Sequence, residues 1–275
     1  MADKNECPKC PDEGLPGWMG TFADMMTLLM CFFVLLFAMS SLDPVKIQMM
    51  QELESFWSSI SSSVRCIILT GQGEKAFSAG ADLKERYGLD ESTWRKQHEA
   101  LQRAMMAMSA CPVPILAAVN GYAFGGGFEL ALAADMIYAS TSARFALPEV
   151  RLGIMPGALG TQHLPRACGL RRAKEWILTG RQISVDEVLE TGVVNALFEP
   201  SQLIAKTLEI AISIANNAPL SIRHAKASIQ HAIQPDVTAD YAVEVAHYNQ
   251  LLASSDRQEG IAAFNEKRPA HFKGE

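Results

Sequence analysis

Gly125-Gly126-Gly127-Phe128-Glu129-Leu130-Ala131-Leu132-Ala133-Ala134 is a glycine run feeding a helix that is apolar on every face except at one acid. A helix that is hydrophobic all round is a buried helix. A glutamate carried into such a place loses hydration, so its pKa rises and its charge is costly unless a partner or a function compensates. Successive glycines let the backbone approach a ligand closely, and the first N–H groups of the following helix have no partner inside it. They are donors available to an oxyanion. The structural alternative is that the glycines only permit tight packing and that Glu129 pairs with a buried arginine.

Short apolar runs flank this segment. Cys66-Ile67-Ile68-Leu69-Thr70-Gly71, Ile115-Leu116-Ala117-Ala118-Val119-Asn120-Gly121 and Met136-Ile137-Tyr138-Ala139 suit buried strands, and helical patterns separate them. Strands alternating with helices predict an α/β domain. Upstream, Met50, Leu53, Phe56, Trp57 and Ile60 fall on one face of a helix predicted over 49–60. Beyond Pro200 the pattern is helical at 203–216, 221–231, 239–252 and 257–264.

With 275 residues, 49% of them hydrophobic and 20% charged, the chain is long enough for a sizeable core. A net charge of −6 argues against a nucleic-acid partner held through its phosphates. Cys66, Cys111 and Cys168 fall in apolar or strand-like surroundings, as reduced, packed thiols do. Cys7 and Cys10 have metal-type spacing but no second pair, so no metal is expected.

The N-terminus reads differently. From Trp18 to Met39 the one side chain expected to carry charge is Asp24. At about 1.5 Å per residue the run is long enough to cross a bilayer. It lacks a basic lead-in and a small-residue cleavage site, so it reads as a single membrane span over 17–40 rather than a signal peptide. A carboxylate inside such a span costs roughly 2.5 to 3.5 kcal/mol and by default belongs to an ion or proton path, or to a helix interface. The alternative is an acid tolerated near the headgroups. Ser40-Ser41-Leu42-Asp43-Pro44 closes the run. The stretch Pro16-Gly17-Trp18-Met19-Gly20-Thr21-Phe22-Ala23-Asp24-Met25-Met26-Thr27-Leu28-Leu29-Met30-Cys31-Phe32-Phe33 resembles the start of the flagellar-motor stator B subunit, the MotB/PomB family. The resemblance makes Asp24 the ion-carrying residue, but nothing like that family's peptidoglycan-binding domain follows.

Two further constellations accompany Glu129. Phe77-Ser78-Ala79-Gly80-Ala81-Asp82-Leu83-Lys84 follows the first strand with small residues, where close backbone approach or plain turn chemistry would require them. Downstream, Pro148 disfavours helix at its neighbour and sets Glu149 in a loop at a strand end, ahead of Gly153, Pro156 and Gly157. In this order, Ser-Ala-Gly-Ala-Asp, Val-Asn-Gly with Gly-Gly-Gly and Glu129, and Pro-Glu149 with Ile-Met-Pro-Gly157 and Gly160-Thr161-Gln162 resemble the crotonase superfamily, most closely its enoyl-CoA hydratases. The likeness spans about 53–275, including the ending Phe264-Asn265-Glu266-Lys267-Arg268-Pro269.

That resemblance implies an α/β spiral of ββα turns with a C-terminal helical region that makes trimers, often paired into hexamers. It implies an acyl-CoA substrate, with coenzyme A part of that substrate and no separate cofactor. The Ala81 and Gly126 amides would form an oxyanion hole, Glu129 and Glu149 would hold water, and Gly157 would help position it. Lys75 and Lys84 would meet the coenzyme A phosphates, with Phe264 and Lys267 reaching in from a neighbouring subunit. The reaction expected is hydration of a 2,3-double bond, with Glu129 as base and Glu149 as acid. A double-bond isomerase of the same fold, a stator-like membrane segment and an inactive fusion are the alternatives.

Two departures lie near the site: Leu159 where the family has glycine, and His163 where it has arginine. The expected division is a polar tail over 1–16, the span over 17–40, a seam over 41–52, a core over 53–200 lacking the family's first strand, and the helical region over 201–275. By family resemblance the enzyme part is cytoplasmic. Lys4 and Lys9 against Lys46 weakly favour a cytoplasmic N-terminus, which would place that part across the membrane.

Overall fold

A computed structural model describes residues 43–81, 90–231, 250 and 254–275. The expected span over 17–40, Asp24, Lys84 and most of the helix expected at 239–252 lie outside them, as do Cys7 and Cys10. Among the described residues no helix is long and apolar enough to cross a membrane.

Helix α1 (Asp43–Ser58) begins earlier than the apolar periodicity placed it. Pro44 falls in its first turn, where a missing N–H costs nothing because that donor has no helical partner anyway. The proline expected to close the preceding run therefore also opens a helix. Trp57 is buried in the main core, and Leu53, Phe56 and Ile60 pack against it.

The strands divide between two parallel sheets. β1 (Ile67–Thr70), β3 (Ile115–Val119), β5 (Met136–Ser140) and β7 (Ala196–Phe198) form one in the order β1-β3-β5-β7; β2 (Ala76–Ser78), β4 (Tyr122–Phe124) and β6 (Arg144–Ala146) form the other in the order β2-β4-β6. Each pass of the chain lays one strand in each sheet. Registers such as Ile67↔Ile115, Leu116↔Met136 and Ala76↔Tyr122 then stack successive passes. This is a crotonase-like α/β spiral.

Every residue of β3 is buried, as expected of a near-continuous apolar strand covered on both faces. Ile115, Ala117 and Val119 face the main core with Phe77, Phe128 and Phe145. Leu116 and Ala118 face the other way, onto a cluster with Leu203 and Ala211. Those two belong to α7 (Leu203–Ala215), which covers that side.

The remaining helices are α2 (Glu91–Ser109), α3 (Gly126–Leu132), α4 (Gly160–Cys168), α5 (Leu170–Thr179), α6 (Val185–Glu190), α8 (Pro219–His231) and α9 (Ser255–Glu266). Asp90 starts α2 by accepting the Thr93 amide at 2.9 Å. The Asp135 carboxylate takes the Ile115 amide at 2.7 Å and the Lys226 ammonium at 2.6 Å, tying the start of β3 to α8. Cys66 and Cys111 are buried free thiols and Cys168 is a half-buried one.

Candidate active site

The site forms where the three-stranded sheet hands the chain to α3. Asn120 fixes the approach: its side-chain oxygen accepts the Gly71 amide at 3.1 Å, and its nitrogen donates to the Gly73 carbonyl at 2.7 Å and the Ala76 carbonyl at 3.3 Å. One amide thereby pins the β1–β2 turn, which leads to Gly80 and Ala81. A side-chain carbon on Gly127 would lie 2.1 Å from the Ser78 carbonyl oxygen, so the first turn of α3 rests directly on the end of β2. One on Gly80 would lie 3.0 Å from the Gly126 nitrogen. The Gly80–Ala81 turn and the Gly126 amide are therefore neighbours, and larger side chains could not bring them so close.

Glu129 leaves α3 into the interior and is only 3% exposed. Its Oε1 accepts the Ala158 amide at 2.7 Å and the Gly160 amide at 2.9 Å. Two amides converge on one oxygen because Leu159, between them, is left-handed at φ 73, ψ 5. Alternating backbone handedness of this kind forms an anion-binding concavity. Burial pushes the Glu129 pKa above the usual carboxylate range, against the pull of the Gly160, Ala158 and Gly157 amides and of the His98 ring.

Glu149 opens the 3-10 turn Glu149–Leu152 after β6 and is 8% exposed. Among the described residues its buried Oε2 has no hydrogen-bond partner. Burial lifts its pKa to about 7, with its own backbone amide opposing and the Glu129 charge adding to the rise. Gly125 lies against it: a Cβ there would be 3.1 Å from Glu149 Oε1. Gly125 also holds φ 53 with ψ −128, a conformation essentially restricted to glycine. The backbone just before α3 thus closes on one carboxyl while the helix itself carries the other.

Gly126 beside Gly80, Gly125 against Glu149 and the 157–160 turn on Glu129 bring Gly126, Glu129, Glu149 and Gly157 into one neighbourhood, with Ala81 next in chain after Gly80. Lys75 is exposed, and its carbonyl accepts the Tyr122 amide at 3.1 Å. Lys267 is exposed just past α9, at φ 54. Phe264 lies within α9, its side chain outside what is described. His163 is half-buried, its Nε2 has no hydrogen-bond partner among the described residues, and burial pushes its pKa down.

Sequence reasoning missed His98, on α2, which packs against Gly157: a Cβ on that glycine would lie 2.7 Å from His98 Cε1. No local pattern marks a lone histidine on an amphipathic helix. It also gave Asn120 no role, although Val-Asn-Gly stood in the motif.

A crotonase-like fold enclosing paired carboxyls beside a glycine-built turn defines a class of acyl-thioester enzymes. The chain belongs to the enoyl-CoA hydratase/isomerase family, whose model matches residues 41–275. It is 45% identical over 224 residues to the Bacillus subtilis protein YngF, named for the same hydratase/isomerase family, covering 82% of this chain and 84% of that protein. It is 40% identical over 207 residues to the short-chain-enoyl-CoA hydratase of Clostridium acetobutylicum, covering 75% of this chain and 79% of that one. The crystal structure of an enoyl-CoA hydratase from Bacillus anthracis superposes with a TM-score of 0.81 at 44% identity, covering 83% of this chain and 90% of that chain. Residues 2–56 match a second family model, the membrane MotB of the MotA/MotB proton-channel complex.

Proposed function

We propose that this protein adds water across the 2,3-double bond of an enoyl-CoA thioester. The observation that carries the reading is two buried carboxyls, solvated in opposite ways, in one cleft. Glu129 receives amides that favour its ionised form, whereas among the described residues Glu149 Oε2 receives none. Hydration needs that asymmetry, because one group must take a proton from water while the other delivers one to carbon.

In this mechanism the Ala81 and Gly126 amides hold the thioester oxygen. Glu129 accepts a proton from water as its oxygen bonds to C3. The π electrons move toward C2, negative charge builds on the thioester oxygen, and C2 takes the Glu149 proton. Glu129 ends protonated and Glu149 ionised, and exchange through solvent restores the pair. The Gly157 amide orients the attacking water. Lys75, Lys84, Lys267 and Phe264 contact coenzyme A, the last two from a neighbouring subunit of a trimer or hexamer. A stator-like membrane segment over 17–40, with Asp24 as ion carrier, is the alternative reading of the N-terminus, supported by the match of residues 2–56 to the MotB family model.

The full-length protein is expected to deplete the conjugated-thioester absorbance of crotonyl-CoA, and no loss above background would defeat the proposal. Glu149→Gln separates hydratase from isomerase. An isomerase needs one acid, so hydration that survives this change would favour that sister reaction.

A further inference from the structure

The segment that presents Glu149 leans on the short connector between α5 and α6. Before the acid, Phe145 in β6 pairs with Ile183: the Ile183 amide donates to the Phe145 carbonyl at 2.8 Å and the Phe145 amide to the Ile183 carbonyl at 3.2 Å. Ile183 is fully buried. Around the acid, Gly180 closes on the 3-10 turn: a Cβ there would lie 2.9 Å from Arg151 Cγ and Cδ and 3.3 Å from Pro148 Cα. Gly180 holds φ 58, so a side chain at this position would be strained as well as crowded. Contacts at 145, 148 and 151 thus bracket residue 149.

One side chain ties the connector to both helices. Arg181 bonds Glu175 of α5 through Nε at 3.2 Å and Nη2 at 2.7 Å, and Glu187 of α6 through Nη1 at 3.1 Å and Nη2 at 2.5 Å. Its Nη1 also donates to the Gln182 carbonyl at 3.0 Å. Glu187 in turn takes the Ser184 amide at 3.0 Å, in the capping box that starts α6. A planar guanidinium shared by two carboxylates has one geometry that serves both. Arg181 holds the Glu175 carboxyl below its usual range and that of Glu187 down to about 2. The knot therefore stays ionised from about pH 5 to 9 and does not itself titrate there.

We infer that Arg181 is a positioning residue for the acid: by clamping the connector to α5 and α6, it holds Gly180 and Ile183 against the turn that carries Glu149. It acts through the backbone rather than on substrate. The inference rests on the hydratase reading for its catalytic meaning but not for its geometry. Among the described residues, the charge that acts on Glu149 is that of Glu129. The Arg151 stem lies on Gly180, and the Arg181 charge is shared between Glu175 and Glu187. Loosening the connector therefore changes Glu149 through its burial rather than through a new charge.

A turn released from this support admits water to Glu149, so its pKa falls toward the ordinary carboxylate value. The descending limb of activity, where the acid must keep its proton, then moves to lower pH. The ascending limb, set by Glu129 on its own amides, stays. General destabilisation would instead lower the rate at every pH and move neither limb. Arg181→Met keeps the stem and removes the fork; Arg181→Lys keeps the charge without the fork and should lie between it and wild type. In the full-length chain, Arg181→Met is expected to lower kcat on crotonyl-CoA by about 10-fold or more with KM within a few-fold. Side-chain carboxyl 13C NMR titration without substrate should show Glu149 shifted down by about half a unit or more. Glu149 titrating as in wild type in Arg181→Met, or in Arg181→Lys should the methionine variant not fold, would overturn the inference whether or not the protein turns substrate over. Wild-type protein that fails to hydrate crotonyl-CoA while the NMR shift is present would overturn the hydratase reading and leave the clamp standing.

Discussion

The two halves of the cleft treat a carboxyl group in opposite ways. On the α4 side, the 157–160 turn aims backbone donors at Glu129. On the β6 side, the described residues give Glu149 Oε2 no hydrogen bond. Burial alone would raise both pKa values and leave two similar acids. The difference lies in the backbone: one wall is built of amides and the other is not. Backbone geometry can therefore set two buried carboxyls apart, as the proposed division between a base and an acid requires.

Substitution of either acid tests that contrast most severely. Glu129→Gln and Glu149→Gln should each lower kcat for hydration by about 100- to 10,000-fold. The pH profiles should fail from opposite sides, with the wild-type rate falling above about 7 as Glu149 loses its proton. Steady-state kinetics from pH 5 to 9 would show this, and a profile flat through pH 7 would remove Glu149 as the acid. Gly160→Ala comes next. Its Cβ would lie 2.8 Å from Glu129 Oε1, so the carboxylate must leave its amides. A loss of roughly 100-fold in kcat with KM held within a few-fold is expected, because a displacement near 1 Å costs about that much.

Stability provides a smaller effect of opposite direction. Glu149 has a folded pKa of about 7 against its usual 4.5, so the folded state holds its proton more tightly than the unfolded state does. That contribution is fully present below pH 4.5 and is lost as pH rises toward 7. Above pH 7 the native protein carries a buried carboxylate at a cost. Glu149→Gln should then be more stable than wild type by about 1 to 3 kcal/mol at pH 8, and the gain should vanish near pH 4. Urea unfolding at the two pH values measures it. A site that loses activity while gaining stability is one whose residue is kept for chemistry.

How much of this was legible depended on length and on chemistry. β1, β3 and β5 could be read because each is a run of apolar residues in a fully covered sheet. β2, β4 and β6 could not: three residues such as Ala76–Ser78 or Tyr122–Phe124 are too short for any periodicity to register. Yet those short strands place the glycines and Glu149. Glu129 was readable as an acid in an apolar helix, and the glycine run as a close approach, because both violate the ordinary pattern. The amides that hold Glu129, the desolvation of Glu149 and the position of the His98 ring come from tertiary packing between segments far apart in sequence. The left-handed backbone at 159 is likewise invisible in a leucine.

That leucine offers the finest probe of the amide-built wall. Leu159 holds φ 73 so that the Ala158 and Gly160 amides can converge, and a left-handed conformation costs a branched side chain roughly 1 to 2 kcal/mol. Glycine would remove that strain, lose about 0.5 to 1 kcal/mol through its freer unfolded chain, and forfeit some half-buried apolar surface. The strain term is the largest of the three. Leu159→Gly should therefore gain up to about 1 kcal/mol, or raise Tm by about 2 to 4 °C. Leu159→Ala keeps the strain and loses the surface, so it should melt below wild type. If the glycine variant also melts lower, the leucine side chain contributes more by its packing than its backbone costs. The wall that holds Glu129 would then depend on a side-chain contact as well as on amide geometry.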